Sequence, residues 1–240
     1  MKVIKVKNYE EMSSAALEVM LDVVKNNPSA VLGLATGSTP LGLYAKMAED
    51  HRENGTSYAK CRAVNLDEYV GLDATSDQSY VYFMKENLFR YIDILPENTH
   101  IENGTAADKE AECARYNALL GELRQDIQLL GIGSNGHIAF NEPGTPFESV
   151  THIVDLAEST IRDNSRLFNS IDEVPRQAFT MGLSNIMNAR RVLILASGEG
   201  KANAVYELVC GEARVEVPAT VLRAHPDCIL ICDEAAGKLI

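Results

Sequence analysis

The sequence predicts an α/β fold, one domain over residues 1–240 built on an open, mostly parallel twisted sheet with helices on both faces. Three observations predict it. Short β-branched runs alternate with longer segments of helical periodicity. No Gly/Ser/Pro linker, low-complexity tract or internal repeat interrupts that rhythm. Glycine- and hydroxyl-rich stretches fall directly after the apolar runs, where open parallel sheets keep their ligand crevices.

In chain order, strands are expected over residues 3–6, 30–35, 61–66, 127–132, 192–196 and 228–232, in a modified Rossmann-like arrangement. Helices are expected over residues 9–25, 40–52, 79–89, 109–124, 156–168 and 201–209. Pro40 marks the start of the second of these, since its fixed φ suits the first helical position and its missing N–H costs nothing there. The irregular stretch over residues 141–149 carries two prolines and Gly144 straight after a strand, which suits a mobile loop over a site.

Composition narrows the function classes. Forty-six per cent of residues are hydrophobic, enough for a substantial core, and the formal net charge is −12. Such a charge works against a nucleic-acid or anionic-membrane surface, because both need a positive field over an extended face. A small phosphorylated substrate is compatible, since backbone N–H groups and a few cations can overrule the global field at short range. The five cysteines are odd in number and scattered, mostly in apolar or helical patterns, and read as buried free thiols with no disulfide and no metal. No segment has signal-peptide or membrane-span character, so a cytoplasmic location is expected.

Three stretches carry the chemistry. In residues 33–44 a strand empties into Thr36, Gly37, Ser38 and Thr39 before a helix opens. Orphan N–H groups and the partial positive charge of a helix N-terminus make this a phosphate seat, with a capped βα turn as the plainer alternative. The spacing matches neither a Walker loop nor GxGxxG, so no nucleotide cofactor is expected. In residues 64–72 a strand runs into Asp67 and Glu68, which point to opposite sides of an extended chain, so only one can face a pocket. A base for carbon acids must be a carboxylate held near the carbon, and a solvated strand end is the alternative reading. In residues 129–147 an apolar strand ends at a glycine-rich turn that presents His137, with Glu142 five residues on. Imidazole exchanges protons near neutral pH and a carboxylate can orient it, although Asn135-Gly136 could also be a simple tight turn.

Taken together, LATGSTP, NLDEYVGL and GIGSNGHIAFNEPG resemble the glucosamine-6-phosphate deaminase family, with QSYVYFM, NSRLF, MGLSNIM and GEGKANAV following in order. The resemblance implies aldose–ketose isomerisation and deamination of glucosamine 6-phosphate to fructose 6-phosphate and ammonia, without a cofactor. It makes Asp67 the base that moves the C2 proton to C1, His137 the ring-opening residue and Glu142 its carboxylate partner. It assigns Thr36, Gly37, Ser38, Arg166 and Lys201 to the phosphate, with Thr39 in the same turn. Many members carry aspartate where this chain has Asn135, which can hold His137 by a hydrogen bond but cannot act as a base, so the burden shifts to Glu142. Basic residues that bind an allosteric activator in larger hexameric members are replaced by His152 and Val154, which implies a monomer or small homo-oligomer without an activator. Two rivals share the fold: a 6-phosphogluconolactonase-type hydrolase, which lacks the enolisation base, and a non-catalytic sugar-phosphate sensor.

Overall fold

The structure is a computed structural model and describes residues 1–156, 161, 168 and 170–240. Its strands are β1 (Lys2–Val6), β2 (Val31–Leu34), β3 (Arg62–Asn65), β4 (Asp67–Tyr69), β5 (Thr99–His100), β6 (Ile127–Leu130), β7 (His152–Asp155), β8 (Gln177–Thr180), β9 (Val192–Ala196) and β10 (Cys228–Asp233). Its α-helices among the described residues are α1 (Tyr9–Asn26), α2 (Leu41–Asn54), α3 (Tyr80–Asn87), α4 (Lys109–Glu122), α5 (Leu183–Met187) and α6 (Ala202–Cys210).

Seven strands form one parallel sheet in the order β1-β10-β9-β6-β2-β3-β5. All six expected strands lie in it, and β5 adds an edge. Every residue of β2, β6, β9 and β10 is buried. Successive side chains of a strand point to opposite faces, so both faces are covered, as the apolar β-branched runs required. From β2 the chain steps outward through α2 to β3, whereas β6 lies on the other side of β2. This reversal leaves a crevice beyond the carboxyl ends of β2 and β6, where two successive connections part to opposite sides.

The helices are capped where the sequence offers side chains for it. Asn8, Ser79 and Asp108 each accept an N–H from the first turn of α1, α3 and α4. Pro40 stands one position earlier than expected, at the cap of α2, and the helix begins at Leu41. The expected helix over residues 79–89 ends at Asn87, because Leu88 leaves helical geometry before a 3₁₀ turn over Phe89–Tyr91. The expected helix over residues 156–168 lies, apart from a few positions, outside the described residues.

A second sheet was not foreseen. Strand β4 pairs antiparallel with β8, and β8 with β7. The expected strand over residues 61–66 breaks at Leu66, whose carbonyl takes the Met181 N–H at 2.7 Å, and the chain then turns out of the parallel sheet. The turn sets Asp67 opposite Thr180. Four of the five cysteines are buried, but Cys210 is exposed as the last residue of α6, where the helix has run past the packed stripe. The loop expected to be mobile is tied down in the structure: Gly144 donates to the Val215 carbonyl at 2.8 Å, and buried Asn141 donates to Ile138 and Met181.

Candidate active site

The crevice is a cleft of about 210 Å³ whose walls come from residues following four neighbouring strands, β9, β6, β2 and β3. It brings together Thr36, Gly37, Thr39, Asp67, His137 and Lys201. Ser38 is exposed beside it and does not line it. Asn135 and Glu142 stand behind His137, and Arg166 lies outside the described residues.

After β2, the chain is clamped by Tyr44 of α2, fully buried, which accepts the Ala35 N–H at 3.1 Å and donates to the Ala35 carbonyl at 2.6 Å. Gly37 then takes φ +91°, a conformation L side chains rarely adopt, and the turn delivers Thr39 to the first turn of α2. The N–H groups of Gly37, Ser38 and Thr39 have no acceptor among the described residues. Free N–H groups at the start of a 14-residue helix suit an anion. Lys201 faces the same cleft from the start of α6 and makes no ion pair among the described residues; burial lowers its pKa. Asp233, at the end of β10, accepts from Ser197 and from the Gly198 N–H and so fixes the turn that carries Lys201.

Asp67 and Glu68 are 6% and 1% exposed, which rules out a solvated strand end, and they part as the extended chain demands. Glu68 turns away from the cleft and accepts the N–H groups of Tyr69, Tyr80 and Val81 at 2.8–3.1 Å, so it holds the N-terminus of α3. Burial raises its pKa, with those donors pulling the other way. Asp67 faces the cleft with no side-chain hydrogen bond among the described residues. Burial, with Glu68 adjoining, pushes its carboxyl up to about 8.

After β6, Gly133 donates to the His137 carbonyl and Gly136 to the Gly133 carbonyl, closing a tight turn in which Gly136 takes φ +84°. Gly133 also makes room for the imidazole: a Cβ there would lie 2.4 Å from the ring. Nδ1 of His137 sits 3.3 Å from Glu142, whose other oxygen accepts the Asn135 amide at 2.7 Å, while the Asn135 carbonyl oxygen accepts the His137 N–H. His137 and then burial act oppositely on Glu142, and its pKa is lowered. One carboxylate thus faces the imidazole at ion-pair distance and is itself fixed by an amide.

Sequence reasoning missed two neighbours. Tyr80 lines the cleft with its ring 4.8 Å from that of Tyr69 and stacked on Phe140, contacts that nothing in its helical pattern signals. Glu102, just after β5, is 1% exposed with both oxygens unpartnered among the described residues, and burial first, then Asp67, Glu68 and Glu112, raise its pKa well above the usual range. Its setting in a polar stretch gives it the look of a solvated loop residue.

The family model for glucosamine-6-phosphate isomerases/6-phosphogluconolactonase matches residues 6–230. The chain belongs to this family. Among its relatives, a glucosamine-6-phosphate deaminase of Clostridium perfringens is 50% identical over 241 residues, with all of both chains covered. A solved structure described as a monomeric glucosamine-6-phosphate deaminase superposes with a TM-score of 0.97 at 46% identity, covering 100% of each chain. A 6-phosphogluconolactonase from Trypanosoma brucei superposes at 0.82 with 21% identity, covering 99% of this chain and 97% of that one, a likeness of fold alone. Within the family this chain stands with the deaminases.

Two outcomes follow from the site's packing. Gly133→Ala forces the His137 ring aside; circular dichroism should show a retained fold, with activity at least about tenfold lower, in keeping with general acid–base contributions of that order or more. Glu102 carries a raised native pKa, so its cost is absent below the unfolded value near 4.5 and grows as pH rises through the native one. Glu102→Gln should therefore gain melting temperature over the parent at pH 8, by about 3 °C or more, and little at pH 4.5.

Proposed function

We propose that the chain converts glucosamine 6-phosphate to fructose 6-phosphate and ammonia by isomerising deamination. The observation that carries this reading is the meeting, in one cleft, of a buried carboxylate, an oriented imidazole and an anion seat. Free N–H groups of residues 37–39 and Lys201 receive the phosphate, with Arg166 assigned there by family resemblance alone. Anchoring the phosphate away from the reacting carbons lets remote binding energy position the opened chain.

Ring opening and enolisation put protons on different atoms and need separate handlers. His137 exchanges a proton at the ring oxygen, and Glu142 stabilises the imidazolium while the Asn135 amide fixes Glu142. Asp67 removes the C2 proton and returns it at C1 through an enolamine. Desolvation makes it a stronger base than an exposed aspartate. The resulting imine hydrolyses to the ketose and ammonia. A lactone hydrolase needs no carbon base, so burial of Asp67 at the cleft wall favours the deaminase.

The chain acts as a monomer or small homo-oligomer, in line with its monomeric structural relative. A cytoplasmic setting suits this metabolic chemistry, and no helix among the described residues is long and apolar enough to cross a membrane.

An assay coupling ammonia and fructose 6-phosphate formation tests the reading. Asp67→Asn should lose at least about 10³-fold in kcat while still binding substrate, and normal turnover would refute the assigned base. Asp67 must be ionised to act, and its pKa near 8 makes kcat/KM climb with pH up to about that value. Asn135→Asp places a second carboxylate within hydrogen-bond reach of Glu142, where the two share a proton and titrate higher. It should keep activity and alter the pH profile of ring opening; an inactive variant with intact fold would contradict this.

A further inference from the structure

We propose that Tyr9 is a positioning residue for the phosphate seat, its hydroxyl fixing the peptides of the turn so that their free N–H groups serve the cleft. The inference rests on the functional reading of that turn given above. Tyr9 is the first residue of α1, remote in sequence from the turn, and is only partly buried. Its hydroxyl accepts the Gly42 N–H at 2.8 Å and lies 3.1 Å from the carbonyl oxygens of both Ser38 and Thr39, which share its single proton.

The consequence comes from peptide geometry. The peptide bonds of this turn are trans, as are all those among the described residues, so the carbonyl of one residue and the N–H of the next point in opposite directions. Holding the Ser38 carbonyl on Tyr9 turns the Thr39 N–H the other way, and Pro40 offers no N–H to compete. The turn is thereby held between two phenols, Tyr44 at Ala35 and Tyr9 at Ser38, Thr39 and Gly42. Between them Gly37, at φ +91° and in open space, offers no resistance to reorientation, and the N–H groups of residues 37–39 have no other tether among the described residues. Close packing supports the contact: a Cβ on Gly42 would lie 2.9 Å from the Tyr9 ring and 2.3 Å from the Ser13 hydroxyl, which itself donates to the Tyr9 carbonyl. Tyr9 touches no substrate; it acts through the turn.

Tyr9→Phe removes the hydroxyl and leaves the ring. In the full chain, titration with inorganic phosphate by calorimetry should show affinity reduced about 5- to 10-fold, the size of one lost hydrogen bond. KM for glucosamine 6-phosphate should rise in parallel and kcat change less than about twofold, a split that general loosening of the fold would not give. Gly42→Ala, which pushes the ring away, should reproduce the pattern. Unchanged phosphate affinity in a folded Tyr9→Phe protein, or a fall in kcat at constant KM, would overturn the inference, as would absence of phosphate binding by the parent. If the parent binds phosphate and the variant weakens it while no ammonia is released, the inference stands and the deaminase reading fails.

Discussion

The site depends on the desolvation of one carboxylate. Where β3 ends, the Leu66 carbonyl is taken by Met181 and the chain leaves the parallel sheet to pair with β8. That turn carries Asp67 to the cleft wall and out of water, with Glu68 directed the other way onto the start of α3. An exposed aspartate is a weak base held ionised by water. Asp67 holds its proton to about pH 8 and is the stronger base once ionised. The neighbouring Glu102, buried and unpartnered among the described residues, has the same origin: a pocket of low polarity built around acids costs stability once the pH rises above the ordinary carboxylate range.

The rest of the site is a set of backbone devices aimed at the same crevice. The reversal of strand order between β2 and β6 opens the space. Two tyrosines hold the turn after β2, Asp233 sets the turn carrying Lys201, and Gly133 makes room for the imidazole. The polar side chains that line the cleft are few, and several of the surrounding residues fix carbonyls and N–H groups. This is the preorganisation that proton transfer at carbon requires, since misplacement of a base by even an ångström is costly.

The parallel sheet was legible because its inner strands are buried on both faces and so read as apolar runs rich in β-branched residues. The antiparallel sheet was not: Asp67–Tyr69, His152–Asp155 and Gln177–Thr180 are short, mix polar with apolar residues, and exist only through pairing, which for the strand carrying Asp67 reaches across more than a hundred residues. In the site, Thr36 to Thr39, Asp67 and His137 were legible from their positions after strands. Lys201 came only through family resemblance, and in the structure it lines the cleft. Tyr9, Tyr80 and Glu102 were invisible because each owes its part to a tertiary contact that leaves no periodicity or spacing in the chain.

The claim that desolvation tunes Asp67 is tested most directly by carboxyl ¹³C NMR titration of aspartate-labelled protein, with Asp67→Asn used to assign the resonance. The account predicts a carboxyl that titrates near pH 8 and vanishes in the variant. A resonance assigned to Asp67 that titrates near the usual aspartate value of about 3.9 would contradict it.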